Sequence, residues 1–247
     1  EGNFFSTENF GLSLKVVNGS LGKLGISTEK FDLKGVLDLN LDIQRSPSDN
    51  KLAFNGSIEK FNINDQDMGT LRFFTSGNTQ LNSYELSVLL SNQEQNALIV
   101  NGSILGFDES PKLNLDFKFD DFDLSFLEPL GGEGIDNIRG RVSGNVNLWG
   151  PLNAPKHMGT LILNGGGLRI INVNTDYSIA DATEVTLEKQ IFKFNNTAFS
   201  DTQFGTQGAI KGEINHLNFR DWGFDLFIDS DRILMLNRPE REEEIFF

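Results

Sequence analysis

The sequence predicts an all-β protein: a long, mainly antiparallel, curved sheet folded into a taco-like β-groove with an apolar interior. Three observations predict this fold. Apolar and polar residues alternate with a period of two, which places the apolar side chains of each strand on one face. The 25 Gly and 22 Phe among 247 residues are poor helix material. Inward-phase glycines and shifts of the apolar phase indicate that the sheet bends around its apolar face.

The alternation is clearest where Leu37, Leu39, Leu41 and Ile43 are separated by polar residues. Strands buried on both faces read as continuous Val, Ile and Leu runs, so these half-polar strands indicate an antiparallel sheet with one solvated face. The same pattern recurs in Leu52-Phe54-Ile58, Leu86-Val88-Leu90, Leu98-Val100-Ile104, Leu113-Leu115-Phe117-Phe119, Val142-Val146-Leu148, Ile210-Ile214 and Phe224-Leu226-Ile228.

Glycines recur at apolar-phase positions. Asn55-Gly56-Ser57-Ile58 returns as Asn101-Gly102-Ser103-Ile104, and Gly144 and Gly208 stand in similar settings. A glycine that points inward leaves a gap in the side-chain layer. Such a gap permits either sharp curvature of the sheet or close approach of a ligand.

The apolar phase slips at two places. After Ile58 it moves to Phe61, and after Phe119 it moves to Phe122, a shift of three residues where two are expected. A bulge or a sharp corner produces this shift. Corners that keep the apolar residues inside the bend predict an open groove, although an apolar face can also pack against a second sheet in a closed sandwich.

Composition excludes several classes of function. The net charge of −14 argues against a nucleic-acid partner, because a polyanion would be repelled. The absence of Cys excludes disulfides and thiolate metal sites. No pattern of catalytic or cofactor-binding residues is found, so the sequence predicts neither an enzyme nor a cofactor.

Isolated polar motifs receive structural interpretations. His157 and His216 have no ligand-spaced neighbours and are expected to be solvated histidines on loops or strand edges, not metal ligands. The acidic residues of 120–123 are expected to be solvated or to cap a turn, with calcium binding as the lesser alternative. The Gly165-Gly166-Gly167 run is not expected to be a phosphate-binding loop, because neither a helix nor a Lys-Ser/Thr pair is predicted after it. A tight β-turn is the prediction for this run.

Longer signatures appear in the second half of the chain. In order, they are Phe122–Leu130, Ile138–Pro155 with Trp149-Gly150-Pro151, Gly159–Ile170, Tyr177–Thr183, Phe192–Asn196, Gly208–Gly212 and Phe219–Leu226. This succession resembles the carboxyl-terminal region of the TamB family, in the AsmA-like superfamily. Residues 107–247 carry the TamB-like region, and residues 1–106 fit by pattern only.

The resemblance implies a single elongated β-groove over residues 1–247, as a fragment of a larger protein. Such proteins lie in the periplasm of diderm bacteria and are anchored to the inner membrane, here by a segment not present in this chain. A strand cut at Ile245–Phe247, after the acidic run Glu240–Glu244, fits this expectation. The Glu240–Glu244 run itself is expected to be a solvated loop, with contact to a basic partner as the alternative.

The resemblance also implies a function. The groove is expected to carry phospholipid between the inner and outer membranes and to support outer-membrane protein assembly and secretion. Its implied partners are phospholipid acyl chains and an Omp85-class outer-membrane protein, TamA or BamA-like. Two alternatives remain: a chaperone-like scaffold that offers its sheet edge to outer-membrane β-barrel strands, and a surface β adhesin or binding module.

A lipid groove needs an apolar lining, because each buried acyl methylene contributes about 0.8 kcal/mol. The residues expected to line it are those in apolar phase in the predicted strands. They are Leu37, Leu39, Leu41, Leu98, Val100, Leu113, Leu115, Phe117, Phe119, Val142, Val146, Leu148, Leu161, Leu163, Ile210, Ile214, Phe224, Leu226 and Ile228.

Overall fold

The computed structural model describes residues 10–46, 50–77, 82–92, 95–106, 111–218 and 220–237. Within these ranges the predicted fold is confirmed: fourteen strands form one long antiparallel sheet, and the helical segments are three short 3-10 turns. None of these helices is long and apolar enough to cross a membrane. The predicted strand at Ile245–Phe247 and the acidic run Glu240–Glu244 lie outside the described residues.

The strands are long for a globular protein, and many exceed ten residues. They are β1 (Phe10–Ser20), β2 (Leu33–Arg45), β3 (Asn50–Ile63), β4 (Gln66–Gly77), β5 (Ser83–Asn92), β6 (Gln95–Leu105), β7 (Lys112–Asp123), β8 (Ile135–Pro151), β9 (Lys156–Ile170), β10 (Thr175–Ile179), β11 (Thr183–Lys189), β12 (Ile191–Asp201), β13 (Gln207–Leu217) and β14 (Arg220–Asp229). The 3-10 helices are Leu21–Leu24, Ser125–Leu130 and Ile171–Val173.

The sheet is an uninterrupted meander. From β1 to β9 each strand pairs with the next strand in the sequence. The strands β10 and β11 then act as one broken strand: β9 pairs with β11 through its first half and with β10 through its second half, and both pair with β12. The meander continues through β13 to β14.

A line of register breaks runs across the sheet, and we call it the crease. Both predicted slips are confirmed, since the pairing shifts between Ile58 and Phe61 in β3 and between Phe119 and Phe122 in β7. Further breaks follow Val16 in β1, Leu90 in β5 and Phe194 in β12. A β-bulge bends its strand and increases the local twist, so an aligned series of bulges folds the sheet along one line.

The main hydrophobic core lies along the crease. Its buried members include Leu37, Ile58, Leu90, Phe122 and Leu163, each within a few residues of a register break. Since these side chains come from strands across most of the sheet, their burial stabilises the fold of the sheet over its apolar face.

The connections after β1 and β7 cover part of this core. Phe126, at the start of the second 3-10 helix, packs edge-on against Phe122 with ring centroids 5.6 Å apart. Its ring also lies 6.5 Å from that of Phe31, in the connection between β1 and β2. The two connections therefore meet over the crease, although six strands, β2 to β7, lie between them in the sheet.

The prediction of a turn at Gly165–Gly167 is wrong, because all three glycines lie inside β9. Gly165 has a φ of +58° and produces a break in the pairing with β8. Gly167 is the Cα partner of Arg139 in β8, and a Cβ atom at position 167 would lie 2.5 Å from the Arg139 guanidinium carbon. The glycine run therefore provides a bulge and room for an overlying arginine.

Residues 230–237, which we call the strap, leave β14 and cross the end of the sheet. The Leu234 N–H donates to Thr206 Oγ1, and the Tyr177 hydroxyl donates to the Leu234 carbonyl at 2.7 Å. The Asn237 N–H then donates to the Val173 carbonyl, in the connection between β9 and β10. The strap thus connects β14 to β10 and to the connections that precede β10 and follow β12.

Candidate functional site: the apolar face of the groove

One row of cross-strand partners runs without a polar member from β1 to β14. Each member is the Cα partner of the next, and together they form what we call the first apolar row. The row is Val16, Leu39, Gly56, Phe73, Val88, Val100, Phe117, Val146, Gly159, Leu187, Phe192, Ile214 and Phe224.

A second apolar row runs parallel to the first, two residues closer to the crease. It contains Gly19, Leu37, Ile58, Leu71, Leu90, Leu98, Phe119, Gly144, Leu161, Val185, Phe194, Gly212 and Leu226. Alternation along each strand points both rows to the same face. The two rows therefore form a continuous apolar stripe at right angles to the strands.

All nineteen residues expected to line a groove lie in strands on this face. Eleven of them belong to the two rows. The others lie beside the rows in the same phase: Leu41, Leu113, Leu115, Val142, Leu148, Leu163, Ile210 and Ile228. The structure thus brings the whole set together, while contact with lipid stays a prediction.

Exposure along the stripe changes from the centre of the sheet to its last strand. Val100, at the centre, is 5% exposed and packs with Leu113 and Leu115 in a second small core. Phe224, at the end of the first row in β14, is 67% exposed. Within the described ranges no second sheet covers the face, because all fourteen strands belong to one sheet.

The inward glycines mark places where neighbouring strands approach too closely for a side chain. A Cβ atom at Gly102 would lie 2.0 Å from the Asn114 carbonyl oxygen, and one at Gly144 would lie 2.2 Å from that of Thr160. Such spacing excludes any other residue without movement of the backbone. Of the two interpretations of these glycines, curvature is the one this geometry supports.

The two histidines are not solvated, contrary to the sequence-based expectation. His157 in β9 is 1% exposed and His216 in β13 is 5% exposed. Their Nε2 atoms lie 2.9 Å apart, and burial lowers the pKa of each ring, that of His157 to about 4. Both histidines occupy apolar-phase positions of their strands, His157 two residues before Gly159 and His216 two residues after Ile214. This position in the alternation is the sequence signal that favours burial.

The acidic segment 120–123 takes the structural roles expected of it. The Asp123 carboxylate accepts hydrogen bonds from the N–H and the hydroxyl of Ser125, and these hold the turn that leads into the following 3-10 helix. Asp121 forms an ion pair of 2.8 Å with Arg141. These groups border an open pocket of about 530 Å³ whose apolar wall includes Met68 and Phe122. Among the described residues no group of three or more potential metal ligands forms.

Comparisons with protein-family models, with curated proteins and with solved structures found no match to this chain. What the chain does is therefore inferred from its own residues.

Proposed function

We propose that this chain is a section of a periplasm-bridging β-groove that carries phospholipid between the inner and outer membranes of a diderm bacterium. In this proposal the groove supports outer-membrane protein assembly and secretion, with an inner-membrane anchor outside this chain and an Omp85-class partner at the outer membrane. The observation that carries the proposal is the apolar stripe, whose two rows cross the sheet from β1 to β14 without a polar member.

The length of the stripe suits a conduit better than a single binding pocket. Twelve strand-to-strand steps of about 4.8 Å give a path of roughly 58 Å along the curve of the sheet. Burial of a sixteen-carbon chain is worth on the order of 12 kcal/mol before ordering costs, at about 0.8 kcal/mol per methylene. Since the two rows contain no polar side chain, an acyl chain that moves along the stripe makes and breaks no hydrogen bond with a side chain of either row.

The test is photo-crosslinking from paired positions on the two faces of β7. Phe117 belongs to the first apolar row, whereas Lys118 occupies the alternate phase and is the Cα partner of Ile99 and Asn145. A photoreactive residue at position 117, in cells, is expected to give phospholipid adducts by mass spectrometry, and one at 118 is not. Protein adducts alone, or no adducts at either position, would overturn the proposal.

A second candidate function is a scaffold for outer-membrane β-barrel strands, and the exposure of β14 favours it. Trp222, Phe224 and Ile228 are all substantially exposed on its inner side, and Phe227 on its outer side. An edge strand with exposed apolar side chains is a template for a further strand. Protein adducts from a photoreactive residue at Phe224, without lipid adducts at Phe117, would favour the scaffold.

A further inference from the structure

His157 and His216 are in contact although two strands lie between them. The path from β9 to β13 runs through β11 and β12, a distance of about 14 Å in a flat sheet. The Nε2 atoms are nevertheless 2.9 Å apart. The two rings therefore lean toward each other over the tip of the hairpin formed by β11 and β12, which turns at Gln190.

Two further rings complete what we call the ring cluster. Phe192, at the start of β12, lies 4.9 Å from the His157 ring and 5.6 Å from the His216 ring. Trp222 in β14 lies 5.0 Å from His216 and 6.1 Å from Phe192, measured between ring centroids. The cluster thus joins β9, β12, β13 and β14 on the apolar face.

The contact between the imidazoles depends on their protonation. When both rings are neutral, one Nε2 donates a hydrogen and the other accepts it. One added proton places a positive charge among the four rings. A second added proton leaves two N–H groups facing each other at hydrogen-bond distance, which repels the rings.

Charged residues flank the two histidines in the sheet. Lys189 in β11 is the Cα partner of His157 and is exposed, and Lys156 adjoins His157 in β9. Glu188 in β11 and Glu213 in β13 both approach Lys193 in β12, with which they form ion pairs. The opposite strand β8 presents Leu148, and Asp221 precedes Trp222 in β14.

We propose that the ring cluster is a proton-sensitive latch, in which the neutral histidine pair holds β13 and β14 against β9 and proton uptake releases them. While the latch is closed, the last strands stay curled over the hairpin tip. When it opens, the apolar face near β14 becomes more accessible. The proposal rests on the geometry of the cluster and is independent of what the groove carries.

The direction of the pH effect follows from the sign of the shifts. Burial lowers the pKa of both rings below the value of about 6.5 that they have in an unfolded or released segment. The closed state therefore keeps its full stability above pH 6.5 and loses it as the pH falls toward 4. With a pKa of about 4 for His157, opening is expected to increase about 30-fold at pH 5 relative to pH 8.

The experiment is hydrogen exchange of the full chain at pH 8 and pH 5, read by peptide and corrected for the intrinsic rate of exchange. Protection of β13 and β14 is expected to fall about 30-fold at pH 5, while that of β3 and β4, which lie in the other half of the sheet, changes little. The sequence contains only these two histidines, so a response between pH 5 and 8 is assigned to the pair. Equal protection at both pH values would overturn the proposal.

The matched variant replaces both rings with apolar residues, His157→Leu with His216→Phe. This variant is expected to remain protected in β13 and β14 at pH 5, and loss of protection equal to that of the natural chain would overturn the latch. If the variant does not fold, the ¹⁵N imidazole resonances of the natural chain decide the outcome. Titration of both rings near 6.5 would contradict the latch, and titration well below 6 would support it.

Discussion

The guanidinium of Arg139 in β8 reaches across β9 to the carboxylate of Asp176 in β10. Nη2 lies 2.6 Å from Oδ1 and Nη1 lies 3.1 Å from Oδ2, which is a bidentate pair between strands that are not neighbours. The arginine passes over Gly167, where any side chain would collide with it. The pair therefore clamps the outer face of the sheet at the bulge that Gly165 introduces.

The first prediction concerns this clamp. In a double-mutant cycle, Arg139→Ala and Asp176→Ala are expected to show a coupling of about 1–2 kcal/mol, because the pair is bidentate and largely shielded from water. The matched control is Lys34 with Asp65, a 2.6 Å pair that is exposed to solvent and should show a much weaker coupling than the pair of Arg139 and Asp176. Chemical denaturation of the four chains in each cycle provides the measurement. Equal couplings for the two pairs would contradict the role of the clamp.

The second prediction concerns the inward glycines. Gly144→Ala is expected to destabilise the protein by about 3 kcal/mol or more, because the new Cβ meets the Thr160 carbonyl and φ is +145°. Gly11→Ala in β1 is the control, since a Cβ there has no neighbour within 4 Å. It should change the free energy of unfolding by less than about 0.5 kcal/mol. A small effect at Gly144 would show that the sheet relaxes there.

The third prediction tests whether the apolar stripe is open to solvent. Phe117→Glu is expected to lower stability by about 1–3 kcal/mol and leave unfolding cooperative, because a carboxylate on an open face keeps access to water. It should also abolish lipid adducts from a probe at Val146, its cross-strand partner. Lys118→Glu, on the other face, should leave those adducts unchanged. Complete unfolding of the Phe117 variant would instead indicate a closed core.

The fourth prediction concerns the buried carboxylate of Asp201. Burial raises the pKa of this group, but hydrogen bonds from the Thr206 hydroxyl and from the N–H groups of Phe204, Thr206 and Gln203 together lower it by more, so the net pKa lies below its usual value. Its stabilising effect is therefore complete above about pH 4 and is lost as the pH falls below that value.

Asp201→Asn should accordingly lower the Tm by several degrees at pH 7, because an amide group faces N–H donors with one acceptor fewer. Thermal unfolding at pH 7 and pH 3 measures the effect. The difference between the two chains is expected to shrink at pH 3, and a constant difference would contradict the assignment.

The features predicted from sequence are those encoded by neighbours along the chain. The phase slips at Ile58 and Phe119 located two bulges because a three-residue shift of alternation has a direct backbone counterpart. The lining residues share one face for the same local reason. The local turn held by Asp123 was equally predictable, since its partner Ser125 is two residues away.

The features that were missed depend on residues far apart in sequence. His157 and His216 meet only because the sheet curls, and 59 residues separate them. The glycine run at 165–167 carries turn chemistry, and its placement inside a strand reflects Arg139, which lies on another strand. The strap lacks periodicity, and its position is set by hydrogen bonds to Val173, Tyr177 and Thr206.

The uninterrupted meander has a consequence for how the chain acquires its structure. Because every strand from β1 to β13 except β10 pairs with the strand that follows it, most ordered contacts close short loops, and the entropy lost in each step is small. During synthesis from one end, the chain can therefore add one strand at a time to the edge of the sheet already formed. No strand needs a pairing partner that is distant in the sequence. Folding is expected to proceed as a zipper, with the ring cluster and the strap formed last.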